Sequence, residues 1–188
     1  MLKAILLIAF IGHVLCGVCD CLLTYSPKGR MDLKGVLKDA SLMNKEFESL
    51  PLKWPMISIM LGVFSITAFG FGYLELSKWM EEFSKTASVI MYVSAVIFLI
   101  PMVVHHIICG LVEWLYVRLG RTDEARTVAL EFQFKTIATM VVGYLSLAAF
   151  LITLLIMIVT GKTPLPNWAC IFNTLPLMIV LLPTKLPA

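Results

Sequence analysis

The 188-residue chain reads as an all-α protein, a polytopic transmembrane helix bundle forming one integral membrane domain over residues 1–188. Three observations carry that reading. The composition is 60% hydrophobic and 14% charged, against about 25% charged in a soluble domain, and the mean hydropathy is +0.92. The apolar residues gather in long runs, as a bilayer requires, since about 20 of them cross ~30 Å of hydrocarbon. The runs also lack the polar face that a helix of a water-soluble bundle needs, as LGVFSITAFGF (61–71) and YLSLAAFLITLLIMIV (144–159) illustrate.

Five runs are expected to span: 1–24, 54–76, 86–117, 132–160 and 168–182. Each is expected to be a helix, because a spanning segment must satisfy its own backbone hydrogen bonds. Runs 86–117 and 132–160 exceed the bilayer and should tilt or project from it; 168–182 is short. The first run has the basic start (Lys3) and apolar centre of a signal peptide. Its apolar stretch nevertheless continues through Leu22 and Leu23, and the residues before Cys16 and Cys19 make poor processing sites. Charge favours an uncleaved helix with the N-terminus outside. Loop 25–53 then carries six basic residues in the cytoplasm, 118–135 carries four and Lys185 follows the last run, eleven of the fifteen in the chain, in line with the positive-inside rule. The net charge of +3 is therefore a topological signal, and no nucleic-acid partner is expected.

Between the runs, Leu33, Val36, Leu37, Ala40 and Met43 fall at helical spacing, which predicts a short amphipathic helix on the inner membrane surface. Loop 118–131 should be a charged hairpin turn, with a helix restarting at Thr122-Asp123-Glu124. The stretch GKTPLPN (161–167) is Pro-rich and breaks the helix before it.

Two strings stand out inside the apolar runs: HVLCGVCD (13–20) and HIICGLVE (106–113), each His-x-x-Cys-Gly-x-x-acid. Positions i, i+3, i+4 and i+7 share one stripe of a helix. Both helices run the same way, and each acid lies about one turn from the inner end. The stripes are therefore expected to be parallel and matched in depth. That pattern reads as an internal repeat of a two-helix unit, an arrangement used by transporters. A third unit would begin with 168–182, which offers Asn173, and a sixth helix is then expected to be missing from the chain.

The small residues Cys16, Gly17, Cys109 and Gly110 suit close helix packing. Ionisable groups inside a span cost ~2.5–3.5 kcal/mol each on insertion scales and so point to function. His13, Asp20, His106 and Glu113 are thus the candidates for ligand binding or proton relay in the inner half of the bilayer, since His titrates near neutral pH. His105 and Asn173 are accessory candidates. Imidazole and carboxylate also suit zinc, iron or manganese, which places a divalent metal at His13/His106 as an alternative. The acids, ~10 Å from the His of the same helix, would then form an outer layer. The leading expectation is a protein that binds or transports a lipid or a small amphipathic ligand. One alternative is an intramembrane lipid-modifying enzyme using the same residues in acid–base or metal chemistry. The other is a structural membrane protein with no ligand, whose stripes only hold helices together.

A Gly-and-acid motif in the first helix, a basic first inner loop and a His-bearing third helix resemble small uncharacterised multi-pass membrane families. That resemblance implies six helices and no assigned activity. The buried His and acid are also similar to those of intramembrane metal-dependent lipid hydrolases of the alkaline ceramidase type. That group spaces its paired His four apart, whereas the close pair here is His105-His106, so its catalytic roles transfer to no residue of this chain.

Overall fold

The computed structural model describes residues 2–181. Its elements are α1 (Leu2–Thr24), a short hairpin of β1 (Tyr25–Ser26) and β2 (Gly29–Arg30), α2 (Leu33–Lys38), α3 (Met43–Phe47), α4 (Lys53–Met80), α5 (Lys85–Arg118), α6 (Asp123–Lys135), α7 (Ala138–Val159) and α8 (Thr174–Leu181). The fold is all-α apart from the hairpin, which pairs Tyr25 with Arg30 and Ser26 with Gly29. Four helices are long and apolar enough to cross a membrane: α1, α4, α5 and the arm Asp123–Val159 formed by α6 and α7. The chain is a polytopic helical membrane protein.

Ordinary local chemistry sets the helix starts. The Ser84 side chain accepts from the Ala87 amide to begin α5, and Thr122 accepts from Ala125 to begin α6, each satisfying a backbone donor left free by the first turn. At Thr136–Ile137 the fourth arm breaks. The expected run 132–160 is therefore divided, with its first residues in α6 and its spanning part in α7.

The expected fifth run, 168–182, opens with a turn before its helix begins. Asn167–Phe172 is a 3-10 turn and Thr174–Leu181 a helix of eight residues. Residue 182 of that run lies outside the described residues.

The four long elements pack in the order α1, α4, α5, α7, while α1 and α7 form no packed interface with each other. The seam of α4 is built from small residues. Ser58, Gly62, Ser65 and Gly72, with Phe69 at the same spacing, recur at alternating steps of four and three and are all buried, so neighbouring backbones approach closely at the small positions. Across α1 the backbones come close at Gly12, where a Cβ would sit 2.8 Å from both the Phe69 amide nitrogen and the Ser65 carbonyl oxygen.

With 34 residues, α5 is ~51 Å long and outruns the hydrocarbon. Its last turns are covered by residues 25–52, which fold into a cap. Met31, Val36, Met43, Phe47 and Leu50 of the cap form one buried cluster with Ile108, Val112, Tyr116 and Val117 of α5 and Ala125 and Ala129 of α6. This revises the expected amphipathic helix. The segment is broken at Asp39 into α2 and α3, and Val36 and Met43 of its apolar face pack into the cluster with α5 and α6, while Leu37 stays exposed. Two polar ties hold the cap down. Tyr116 donates its hydroxyl hydrogen to Asn44 Oδ1. Arg121, in the left-handed region at φ 58°, donates to the carbonyls of Phe47 (3.0 Å) and Leu50 (3.2 Å).

Candidate functional site

A cavity of about 770 Å³ lies among α1, α4, α5, α6, α7, the start of α8 and the cap. Such a volume falls within the range of small-molecule sites. Its lining is graded. Ile66, Phe69, Tyr73, Phe98, Met102 and Leu147 form an aromatic and aliphatic end, Asp20, His105, His106, Cys109, Glu113 and Gln133 a polar belt, and Leu33, Val36, Leu37, Met43 and Phe47 of the cap an apolar floor. From Phe98 to Glu113 the wall runs ~22 Å along α5.

His13, Asp20, His106 and Glu113 all lie on this wall, but at levels that differ from the expectation. Ser58 Oγ donates to the Cys19 carbonyl at 2.9 Å and lies 3.2 Å from His106 Nε2, and Asp20 Oδ1 lies 3.8 Å from His106 Nδ1. Asp20 is therefore level with His106. The His13 ring stacks on Phe69 at 4.3 Å, and Phe69 faces Phe98 at 6.0 Å. His13 is therefore level with Phe98. The expected matching of depths is corrected: α1 is offset from α5 by one motif length, so the acid of the first string meets the His of the second. The physical reason is that α4 sets both registers, with Gly12 locked at Ser65 and Phe69 and Gly62 locked at His106.

The offset leaves three levels. At the apolar end, His13 is sandwiched with Phe69 and Tyr73. In the middle, Asp20 faces His106. Toward the cap, Glu113 is 6% exposed and its Oε2 has no hydrogen-bond partner.

Hydrogen bonds fix the imidazole tautomers. The Ser58 hydroxyl hydrogen goes to Cys19, so Ser58 Oγ and the Ser58 carbonyl, at 3.1 Å, both accept from His106 Nε2–H. The Nδ1 faces Asp20, which accepts from it when the ring is protonated. His105 points toward α7. The Thr139 hydroxyl donates to the Thr136 carbonyl and accepts from His105 Nδ1 at 3.4 Å, while His105 Nε2 faces Cys109 Sγ at 3.5 Å. Gln133 donates to that same sulfur at 3.7 Å. A polar chain thus links α6, α5 and α7 where the fourth arm breaks.

The remaining candidates sort by packing. Gly110 lies against Ile59 and the Pro55 carbonyl. Gly17 is corrected as a packing residue: a Cβ there meets nothing within 4 Å, because Gly17 is on the cavity wall. Gly12 is the close-contact glycine of α1. Cys16 and Cys109 border the cavity. Asn173 is off the wall, donating to the Leu151 carbonyl at 3.0 Å and accepting from the Leu175 amide; it caps α8. Ser58 was not expected. Its signal in the sequence is the heptad spacing with Gly62 and Ser65.

A divalent ion does not fit this arrangement. Among the described residues no group of three or more His, Cys, Asp or Glu side chains is placed to hold one. The offset also puts His13 about two turns, ~10 Å, from the level of His106, so the two rings share no coordination sphere.

A family model matches residues 1–188, the whole chain. The chain belongs to that family, DUF6796, a family of unknown function. No curated protein and no solved structure matches it, the intramembrane lipid hydrolases included.

Proposed function

We propose that this membrane protein binds a lipid or small amphipathic molecule in the cavity between α1, α5 and α7, for carriage or sensing. The observation that carries the reading is a cavity along ~22 Å of α5 in which an aromatic end adjoins a belt of titratable side chains, so that one ligand meets both. The open α1–α7 edge gives access from the lipid. The positive charge of the cap and of the α5–α6 turn supports placing both in the cytoplasm with the N-terminus outside, so the ligand's polar end would point inward.

The atom order Ser58 Oγ, His106, Asp20 follows that of a nucleophilic triad, which is the case for an enzyme. Against it, Ser58 is fully buried and its proton is held by the Cys19 carbonyl. An attacking hydroxyl must reach substrate with its base free to take the proton. Binding is the better reading.

The test fills the cavity. Gly17→Trp projects an indole into it from a position with free space. Protein extracted directly into lipid nanodiscs should retain a specific amphiphile at near one per chain, detected by mass spectrometry, and the variant should lose it. Equal retention by both proteins would refute the proposal.

A further inference from the structure

Asp20 and His106 meet on the cavity wall from different helices, and one position between them is unfilled by any other group. His106 is 7% exposed, and its Nε2–H is held by Ser58 Oγ and the Ser58 carbonyl. Its Nδ1 is left with Asp20 Oδ1, 3.8 Å away, about 1 Å beyond hydrogen-bond length. One proton fits there. With it, the two atoms become donor and acceptor; without it, two acceptors face each other. The protonated pair is neutral as a whole, and the unprotonated pair carries one negative charge.

The Asp20 side chain is 62% exposed and lines the cavity, so its surroundings change with the contents of the cavity. Water solvates a carboxylate and a hydrocarbon chain does not, so a net charge covered by an apolar chain is disfavoured. Among the described residues no Lys or Arg lines the cavity to offset it. A proton from solvent is the cation that remains. We infer that Asp20 and His106 form a proton-binding site coupled to the cavity: an uncharged amphiphile enters together with one proton, which settles between Asp20 Oδ1 and His106 Nδ1. This coupling rests on the binding reading above.

Its sign separates the pair from the other titratable groups around it. His13 stacks on Phe69, and His105 lies between Thr139 and Cys109. Neither has a carboxylate partner among the described residues, so an apolar chain covering either ring would expel a proton and bind more tightly as pH rises. Cys16 and Cys19 on α1, Cys109 on α5 and Tyr144 on α7 are close to Asp20; free thiols and phenols titrate near about 8.5 and 10, above the range that matters here. The polar neighbours on α4 and α6, Ser58 and Gln133, do not titrate. Glu113, about two turns along α5 from His106, is 6% exposed and is shielded from solvent before the cavity fills.

The experiment uses the full chain in zwitterionic nanodiscs and radiolabelled dodecanol, which has no titrating group between pH 6 and 8, so any pH dependence belongs to the protein. That range lies within the one in which imidazole gains its charge. Dodecanol should bind at least about fivefold tighter at pH 6 than at pH 8, below the ceiling of about tenfold per pH unit that one proton sets. Asp20→Asn keeps the shape of a largely exposed side chain, and its amide donates to Nδ1 with no proton taken up. Binding should persist in that variant and its tightening at low pH should vanish or reverse. Equal affinity at both pH values in the wild type, tighter binding at pH 8, or the wild-type slope retained in Asp20→Asn each overturns the proton site and leaves the amphiphile reading standing. No saturable binding at either pH overturns the amphiphile reading and the coupling with it.

Discussion

Two glycines on α1 make a controlled comparison. Gly12→Ala and Gly17→Ala change the same helix by the same methyl group, and each gains the same ~0.8–1 kcal/mol of helix propensity. That gain cancels between them, so their difference isolates packing. At Gly17 the new Cβ has no neighbour within 4 Å, and the propensity gain should stand. At Gly12 it lies 2.8 Å from a backbone nitrogen and a backbone oxygen of α4. Neither atom can swing aside as a side-chain tip can, so α1 must move outward. Overpacking of this kind costs ~1–3 kcal/mol, and that is the expected gap between the variants. For a chain of this size each kcal/mol moves Tm by ~2–4 °C, so Gly17→Ala should melt roughly 2–12 °C above Gly12→Ala. Unfolding of the purified protein in mild detergent, followed by tryptophan fluorescence, reads the gap directly. Equal melting temperatures, or the reverse order, would refute the placement of α1 on α4 and with it the one-motif offset.

Two further outcomes test other parts of the molecule. Arg121→Ala removes two charged hydrogen bonds, worth ~1.5–3 kcal/mol each, and should speed tryptic cleavage at Lys38 and Lys45 in the cap; an unchanged digestion rate would show that the cap is held by its apolar cluster alone. Single reporter cysteines at the exposed positions Ser41 and Thr122, in a background free of the five native cysteines, should resist an impermeant maleimide in intact cells, and labelling of both from outside would invert the topology.

The spans were legible because a bilayer demands uninterrupted apolar length, and four runs supply it. The run 168–182 has the right composition, yet Asn173 and the turn before it divide the segment, and hydropathy averages over such a break. The identity of the polar residues was also legible, since His, Asp and Glu are rare within the spans. Their relative depth was not. Periodicity says which residues share a face of one helix and nothing about how far two helices slide past each other. That slide is fixed on a third helix, by Gly62 under the His106 ring and by the Ser65–Phe69 backbone under Gly12. The cap was misjudged for a related reason: an apolar face at helical spacing suits lipid and protein equally, and the uncovered end of α5 decides between them.

The lack of an extensive interface between α1 and α7 among the described residues has a consequence for how this protein must be handled. Under the binding reading that edge faces the bilayer, and acyl chains complete the wall of the cavity. The membrane is then a building material of the site as well as its surroundings. Chain length, saturation and bilayer thickness become variables of the same rank as point mutations, and a detergent micelle amounts to a different wall. Affinities measured in detergent and in bilayers should therefore diverge for ligands that reach the apolar end, and agree more closely for those that touch only the cap end.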